Sequence, residues 1–293
     1  MTSLDVGLER VRIRRSRRSR SQRIEHWLGE IAFYGLVIGF LIAFMFVFVW
    51  MVLTSFKQAR DVTVYPPSLI FEPTLQNYTN VLDKTPFGRQ LTNSTIVAVG
   101  AVSLGMLIGL PASYVIARYR MQSLALTILL MRMIPTIVFM LPLFVIYQQL
   151  RLLDTHLGLI LSHLILTLPL IIWIMISFFE DVPIEVEDQA KVDGCTRIGV
   201  FLRIALPLSL PGMVVTTILA FITSWNNFIF VLILGGSSTT TLPMAVFNFM
   251  GFEQLDFGAV AAVASLLSLP IIVLTIIVQR WLVAGLTLGA VKS

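Results

Sequence analysis

Six long apolar stretches constrain the fold of this chain more than any other feature. They cover roughly residues 31–54, 92–117, 123–149, 157–179, 211–234 and 257–281. A helix needs about 20 mostly apolar residues to cross the hydrocarbon core of a bilayer. Charged residues make up only 13% of the chain, against about 25% in an ordinary soluble domain. The sequence therefore predicts an all-α, polytopic membrane protein with six transmembrane helices.

Two of the six stretches contain residues that interrupt a regular helix. The third holds Arg132, Pro135 and Pro142, and the fourth holds Pro169. Proline removes a backbone hydrogen bond and kinks a helix, and neighbouring helices satisfy the backbone groups that it releases. We expect a kink or shift in the third stretch and a second kink in the fourth.

The distribution of lysine and arginine predicts the orientation of the chain. With the N-terminus inside, the inner segments hold fifteen of these residues and the outer loops hold five. An excess of positive charge marks the cytoplasmic side of a membrane protein. We therefore expect both termini in the cytoplasm, with a basic tail over residues 1–30, a transmembrane domain over 31–281 and a second tail over 282–293. The first tail leads directly into an apolar stretch, which favours contact with anionic membrane lipid over nucleic acid.

The inner loop between the fourth and fifth stretches, about residues 181–210, is polar and able to form helices. Pro183 suits the first turn of a helix, and the acidic residues after it suit the positive end of a helix dipole. Gly194 tolerates a positive φ and is a typical residue just beyond a helix end. We expect a first short helix that runs to about Asp193 and stops at Gly194.

A second short helix is predicted directly after this corner. Thr196 is a suitable N-cap, and apolar residues follow it at helical spacing. These residues are Ile198, Phe201, Leu202 and Ala205. We expect Pro207 to end the helix.

The inner loop resembles the EAA loop of ATP-binding-cassette (ABC) importer permeases. The residues that match the family pattern in spacing are Asp193, Gly194, Phe201, Pro207 and Pro211. Three positions depart from the pattern. Asp188 stands where Glu is usual, Gln189 where the first Ala is usual, and Cys195 where the last Ala is usual.

Other segments resemble the carbohydrate-type branch of these permeases, which includes the smaller permease of the maltose system. They are Asn93-Ser94, the run from Ala112 to Arg118, Trp225-Asn226, and the ending from Gln279 to Lys292. The similarity covers nearly everything from about residue 30 to the end. It implies a translocation subunit in the cytoplasmic (inner) membrane of a bacterium or archaeon.

The resemblance also implies partners and a docking surface. In the family, the EAA loop enters a cleft on an ATPase subunit and carries its closure into the membrane. The residues expected to dock are Glu187, Asp188, Ala190, Asp193, Gly194, Phe201 and Pro207. The expected assembly adds a second permease subunit, an ATPase homodimer, and an extracytoplasmic solute-binding protein on the outer loops, about residues 55–91 and 235–256.

The chain has no G-x-x-x-x-G-K-[ST] phosphate loop, the sequence that cradles ATP in P-loop proteins. It is therefore predicted not to be an enzyme itself. No cofactor is expected in this chain, and ATP and Mg²⁺ are expected on the partner ATPase.

Four polar or aromatic residues within the apolar stretches are candidates for a solute path. Arg132 is costly inside a membrane, so it either lines the path or snorkels toward headgroups. Trp225, Asn226 and Asn227 either contact a sugar by stacking and hydrogen bonds or join helices to one another.

Other functions remain open at this level. The acidic residues of the inner loop allow a membrane enzyme that holds a cation, although we expect no metal site because His156 and His163 lie about 10 Å apart along a helix. An ion-coupled carrier commonly has internal repeats, and the sequence shows none. Among importers, a polyol or glycerol-phosphate-type solute is the alternative to a sugar.

Overall fold

The computed structural model describes residues 20–250 and 256–290, and this part of the chain is built of helices. The first half contains α1 (Arg20–Ser55), α2 (Ala59–Val62), α3 (Gln76–Lys84), α4 (Phe87–Arg118), α5 (Gln122–Met131), a 3₁₀ turn (Thr136–Phe139) and α6 (Met140–Leu150). The second half contains α7 (His156–Glu180), α8 (Ile184–Val192), α9 (Arg197–Val200), a π-helical turn (Phe201–Ala205), α10 (Leu206–Leu208), α11 (Leu210–Trp225), α12 (Ile229–Leu234), α13 (Leu242–Asn248) and α14 (Phe257–Ala290). The all-α prediction is confirmed.

The chain divides into two compact units, residues 1–50 and 51–293. Over its described residues, the first unit is the larger part of α1. The second unit holds the other helices, and it contains every candidate residue named below.

Within the described residues, four helical segments are long and apolar enough to cross a membrane: Gly29–Ser55, Phe87–Arg118, His156–Glu180 and Phe257–Gln279. Two further candidates are bent pairs, one of α5 with the 3₁₀ turn and α6 (86°) and one of Arg197–Leu208 with α11 (76°). Counting each bent pair as one span gives up to six spans, which agrees with the six apolar stretches of the sequence.

The kink in the third stretch is confirmed. Arg132 and Pro135 lie in the break between α5 and the 3₁₀ turn, whereas Pro142 lies inside α6. Pro169 lies inside α7, which continues as one helix from His156 to Glu180.

The fifth stretch differs from the prediction of one helix over 211–234. α11 ends at Trp225 and α12 begins at Ile229. Asn227 accounts for the interruption, because its side-chain oxygen accepts a hydrogen bond from the backbone N–H of Phe230 (3.2 Å) and so caps the new helix.

The predicted tails fall partly outside the described residues. The structure does not describe residues 1–19, 251–255 and 291–293. Residues 251–255 belong to the predicted outer loop. The part of the C-terminal tail that is described belongs to α14, which continues to Ala290.

Helices α4 and α7 pack closely along the centre of the second unit, because α4 presents small residues to α7. A Cβ atom on Gly105 would lie 2.7 Å from a methyl carbon of Ile171, and a Cβ on Gly109 would lie 2.7 Å from another. Ile171 is fully buried. Small residues allow helix backbones to approach in membranes, so these two glycines set the spacing of α4 and α7.

We predict that Gly109→Leu destabilises the folded chain by about 1–3 kcal/mol, because overpacking a filled core strains its neighbours. Thermal unfolding in detergent measures the effect. Gly88→Leu is the matched control on the same helix, since a Cβ there meets nothing within 4 Å. Equal melting temperatures for the two variants would contradict this account of the packing.

Candidate functional site

The corner between α8 and α9 has the geometry that the sequence predicts. Gly194 adopts a φ of 89°. Its N–H donates to the carbonyl of Lys191 (3.0 Å), and the next N–H, of Cys195, donates to the carbonyl of Ala190 (2.9 Å). These two bonds form a Schellman motif, which closes the last turn of α8 and fixes the direction of the chain beyond it.

The second helix begins as predicted and ends later than predicted. The hydroxyl of Thr196 accepts a hydrogen bond from the N–H of Gly199 (3.1 Å) and caps α9. Pro207 does not end the helix, because the π-helical turn before it widens the backbone and Leu206 donates to the carbonyl of Phe201, five residues back. The wider turn absorbs the proline, whose ring would otherwise clash with the carbonyl four residues before it.

The outer side of this corner carries exposed apolar side chains at its tip, Val192 and Ile198, and charged side chains beside them. Val192 is 88% exposed and Ile198 is 71% exposed. Asp188 and Asp193 are exposed beside them, and Lys191 pairs with Asp188 at 2.8 Å. We call Asp188, Val192, Asp193 and Ile198 the corner surface. Gly194 and Pro207 are also exposed.

The structure places three predicted docking residues differently. Glu187 is 1% exposed and Ala190 is 8% exposed, since both lie on the inner face of α8. Phe201 is half-buried, and its ring lies 5.0 Å from that of Tyr114. The carboxylate of Glu187, one of the residues predicted to dock, is turned into the protein.

Glu187 is held by the last turn of α4. The Nε of Arg118 donates to the Glu187 carboxylate (2.8 Å), and one terminal nitrogen of the same guanidinium donates to the same oxygen. The hydroxyl of Tyr114 donates to the other carboxylate oxygen (2.9 Å). Arg118 also donates to the carbonyl of Val182 (3.1 Å), just after α7.

This ion pair is a structural anchor of α8. The side chains of Arg118 and Glu187 are 13% and 2% exposed. Removing one member of a buried pair leaves an uncompensated charge and costs about 3–5 kcal/mol. No role of Tyr114 or Arg118 was predicted from the sequence, although residues four apart share one face of a helix. That spacing, next to an acidic loop, was the available signal.

The four candidates for a solute path separate into two groups. Arg132 is exposed at the end of α5, and Asn226 is exposed at the end of α11. Trp225 is 3% exposed, and its indole N–H donates to the carbonyl of Leu267 (3.1 Å). Its ring packs against neighbouring helices, which fits the alternative that Trp225 joins helices to one another. Asn227 is the cap of α12 described above.

Both candidate histidines bind polar side chains of neighbouring helices. The Nε2 of His156 lies 2.8 Å from the side-chain oxygen of Asn93, and the Nδ1 of His163 lies 2.7 Å from the hydroxyl of Ser224. Among the residues that the structure describes, no three His, Cys, Asp or Glu side chains come together as metal ligands.

At the other end of α4 and α7, side chains hold the loop over residues 235–241. Asn93 donates to the carbonyls of Ser238 (3.0 Å) and Thr240 (2.9 Å). The carboxylate of Asp154 accepts hydrogen bonds from the N–H of Ser238 and from the N–H and hydroxyl of Thr239. We call this set of bonds the loop clasp.

The loop clasp favours the ionised form of Asp154. Burial alone favours the neutral form, but the hydrogen bonds from Thr239 and Ser238 outweigh it and lower the pKa of Asp154 below its usual value. A carboxyl with a lowered pKa stabilises the fold above its ordinary pKa of about 3.9, and this contribution is lost as the pH falls through the lowered value.

We predict that Asp154→Asn lowers the stability of the chain by about 1 kcal/mol at pH 7, because an amide accepts these hydrogen bonds less strongly than a carboxylate. Thermal unfolding of both forms between pH 7 and pH 3 measures the effect. The difference between them shrinks below about pH 4 as Asp154 takes up a proton. A difference that does not change with pH would show that ionised Asp154 is not what holds the loop.

Comparison with known proteins identifies the family of this chain. Residues 101–288 match the family described as binding-protein-dependent transport system inner membrane component. The chain is 38% identical over 251 residues to the probable ABC transporter permease protein y4oR of Sinorhizobium fredii, covering 85% of this chain and 91% of that protein. It is 35% identical over 253 residues to the trehalose transport system permease protein SugB of Mycobacterium tuberculosis, covering 83% and 91%.

A solved structure shares the fold. It is a bacterial ABC transporter involved in the import of the acidic polysaccharide alginate, one chain of which matches with a TM-score of 0.70 and 19% identity, covering 89% of this chain and 98% of that one. The chain therefore belongs to the binding-protein-dependent transport system inner membrane components, and it is a multi-pass permease subunit of an ABC importer.

Proposed function

We propose that this permease carries a carbohydrate-type solute and receives the work of transport through the corner surface. The solute class is supported by the names of relatives. Besides the trehalose permease SugB, the chain is 33% identical to the sulfoquinovosyl glycerol permease SmoH of Agrobacterium fabrum over 254 residues. It is also 33% identical to the diacetylchitobiose permease DasC of Streptomyces coelicolor over 261 residues.

The observation that carries the docking proposal is the exposure of Val192 and Ile198 on a rigid corner. Two large aliphatic side chains on a polar loop are unfavourable in water. Their burial in a protein interface is favourable by roughly 25 cal/mol per Å² of buried apolar surface. Asp188 and Asp193 beside them add charge that a basic cleft can match. The excess of lysine and arginine on this side of the sequence puts the corner in the cytoplasm, where the ATPase lies.

The assembly follows from the number of corners. One chain offers one corner surface, whereas an ATPase homodimer has two equivalent clefts. A second permease subunit supplies the other corner. ATP and Mg²⁺ bind to the ATPase pair, and a solute-binding protein meets the opposite end of the bundle, where the loop clasp holds residues 235–241.

The path is proposed to pass Arg132 and Asn226. Both side chains are exposed at helix breaks. Irregular backbone at membrane depth is tolerated where it lines a wet cavity or is buried in protein. An amide suits the hydroxyl groups of a sugar.

A second candidate solute is an anionic derivative, such as a glycerol-phosphate-type compound. Arg132 favours it, because the structure gives this guanidinium no hydrogen bond or ion pair within the described residues. A guanidinium binds phosphate in a bidentate manner. The two candidates differ in what Arg132 contributes.

We predict that a cysteine in place of Val192 crosslinks to the ATPase. The variant is built on Cys195→Ser, because Cys195 is the single native cysteine. Membranes that contain the assembled importer are treated with a short reagent that alkylates the thiol and, on photoactivation, inserts into any neighbouring residue, and the partner is identified by mass spectrometry. Leu75→Cys in the same background is the matched control, since Leu75 is 63% exposed but lies in the first outer loop. Capture of the ATPase by Leu75→Cys, or by neither variant, would exclude the docking role.

We predict that the importer moves a neutral disaccharide and that Arg132→Gln changes this uptake by less than about twofold, since a neutral solute has no charge for Arg132 to pair. Labelled trehalose, glycerol phosphate and methionine are compared in proteoliposomes that carry the complete importer. For an anionic solute, losing the pairing charge raises KM about tenfold or more. Uptake of methionine in preference to both others would overturn the carbohydrate proposal.

A further inference from the structure

We infer that Arg118 is the positioning residue that transmits the movement of α8 to the membrane-spanning helix α4, with Tyr114 as its support. This inference rests on the proposed docking of the corner surface. It assigns a role in transport to two residues that lie outside that surface.

The first observation is that the ion pair spans the two elements that have to move together. Among the side chains of α8, all of which the structure describes, Glu187 is the one with hydrogen bonds to a spanning helix. Its carboxylate accepts from Arg118 and Tyr114, both in the last two turns of α4. Asp188 and Lys191 bond only to each other.

The second observation is that Arg118 also reaches the end of α7. It donates to the carbonyl of Val182, in the short link between α7 and α8. One rigid, planar guanidinium therefore bonds to the residues on both sides of the start of α8, and a planar fork resists reorientation better than the single ammonium of a lysine.

The third observation is the aromatic packing behind the ion pair. The ring of Tyr114 lies 5.5 Å from that of Phe179 in α7 and 5.0 Å from that of Phe201 in the π-helical turn. The guanidinium of Arg118 lies over the face of the same tyrosine ring, 5.6 Å from its centre. The end of α4 is therefore fixed against α7 and against the elements on both sides of Gly194.

These contacts give the corner two properties that transmission requires. A displacement of α8 cannot slide past α4 without separating a buried carboxylate from its guanidinium, and such a separation is strongly unfavourable in a site of low dielectric constant. The displacement instead carries the end of α4 with it. Without the ion pair, α8 is free to shift while α4 stays in place.

The test compares uptake with ATP hydrolysis in proteoliposomes that carry the complete importer. We expect Arg118→Gln to lower the thermal stability of the permease, because Glu187 is left without its pairing charge. Per assembled importer, we expect solute-stimulated ATP hydrolysis to stay within about twofold of wild type and the solute moved per ATP to fall about fivefold or more, because the coupling free energy between the two sites is reduced. Arg118→Lys, which keeps the charge and loses the fork, recovers part of the ratio. Arg120→Gln is the matched control, since Arg120 lies two residues away and is exposed.

Tyr114→Phe keeps the test decisive if Arg118→Gln does not assemble. It removes one hydrogen bond from Glu187 and keeps the ring, and we expect the solute moved per ATP to fall about twofold to threefold with assembly unchanged. Uptake and hydrolysis that fall in parallel, or an unchanged ratio in Tyr114→Phe, would overturn the inference.

The crosslink from Val192→Cys separates this failure from failure of the proposed function. An intact crosslink to the ATPase in the Arg118→Gln background, together with a normal ratio of uptake to hydrolysis, means that the corner docks but Arg118 does not transmit. If Val192→Cys gives no crosslink to the ATPase while Arg118 is unchanged, both the docking proposal and the inference about Arg118 are contradicted.

Discussion

The buried ion pair between Arg118 and Glu187 is the interaction on which the arrangement of the inner loop depends. A carboxylate that is 2% exposed is tolerated only because three donor groups meet it. Once Glu187 is fixed inward, helical spacing sends Asp188 and Val192 to the opposite face of α8. The exposed apolar tip of the corner is therefore a consequence of the buried pair, and the proposed docking rests on this tip.

Helix α4 holds the loops at both of its ends, by different means. Near its start, Asn93 bonds to backbone carbonyls of residues 238 and 240, and in its last turn Arg118 bonds to Glu187. These two residues are about 38 Å apart along a straight helix. Between them, Gly105 and Gly109 bring α4 against α7, so one closely packed pair of helices joins the loop clasp to the corner.

Residue types were enough to predict the corner after α8 and the start of α9, because both conformations depend on neighbouring residues alone. Gly194 and Thr196 carry their conformations in their residue types, because a positive φ favours glycine and a hydroxyl caps the N-terminus of a helix. The apolar stretches likewise gave the spans, since a bilayer imposes their length. The helix through Pro207 was missed because the π-helical turn that accommodates this proline has no signature in the sequence.

The direction of a side chain depends on distant partners, and here the sequence was a poor guide. Glu187 and Asp188 are adjacent acids of similar chemistry, and only the presence of Arg118, 69 residues earlier, decides which one is buried. The sequence left two roles open for Trp225 for the same reason, because its acceptor is the carbonyl of Leu267, 42 residues later.

The break between α11 and α12 shows both a local effect that the sequence contains and an orientation that it does not. A run of apolar residues predicts one continuous span, yet the amide of Asn227 caps a new helix by binding the N–H of Phe230. That leaves Asn226 exposed beside a buried tryptophan. An exposed amide next to irregular backbone is unfavourable against lipid, and it is favourable where water or a hydroxylated solute replaces the missing hydrogen bonds. The features that interrupt the helix are thus the ones that suit the proposed path, while the indole of Trp225 joins two helices beside it.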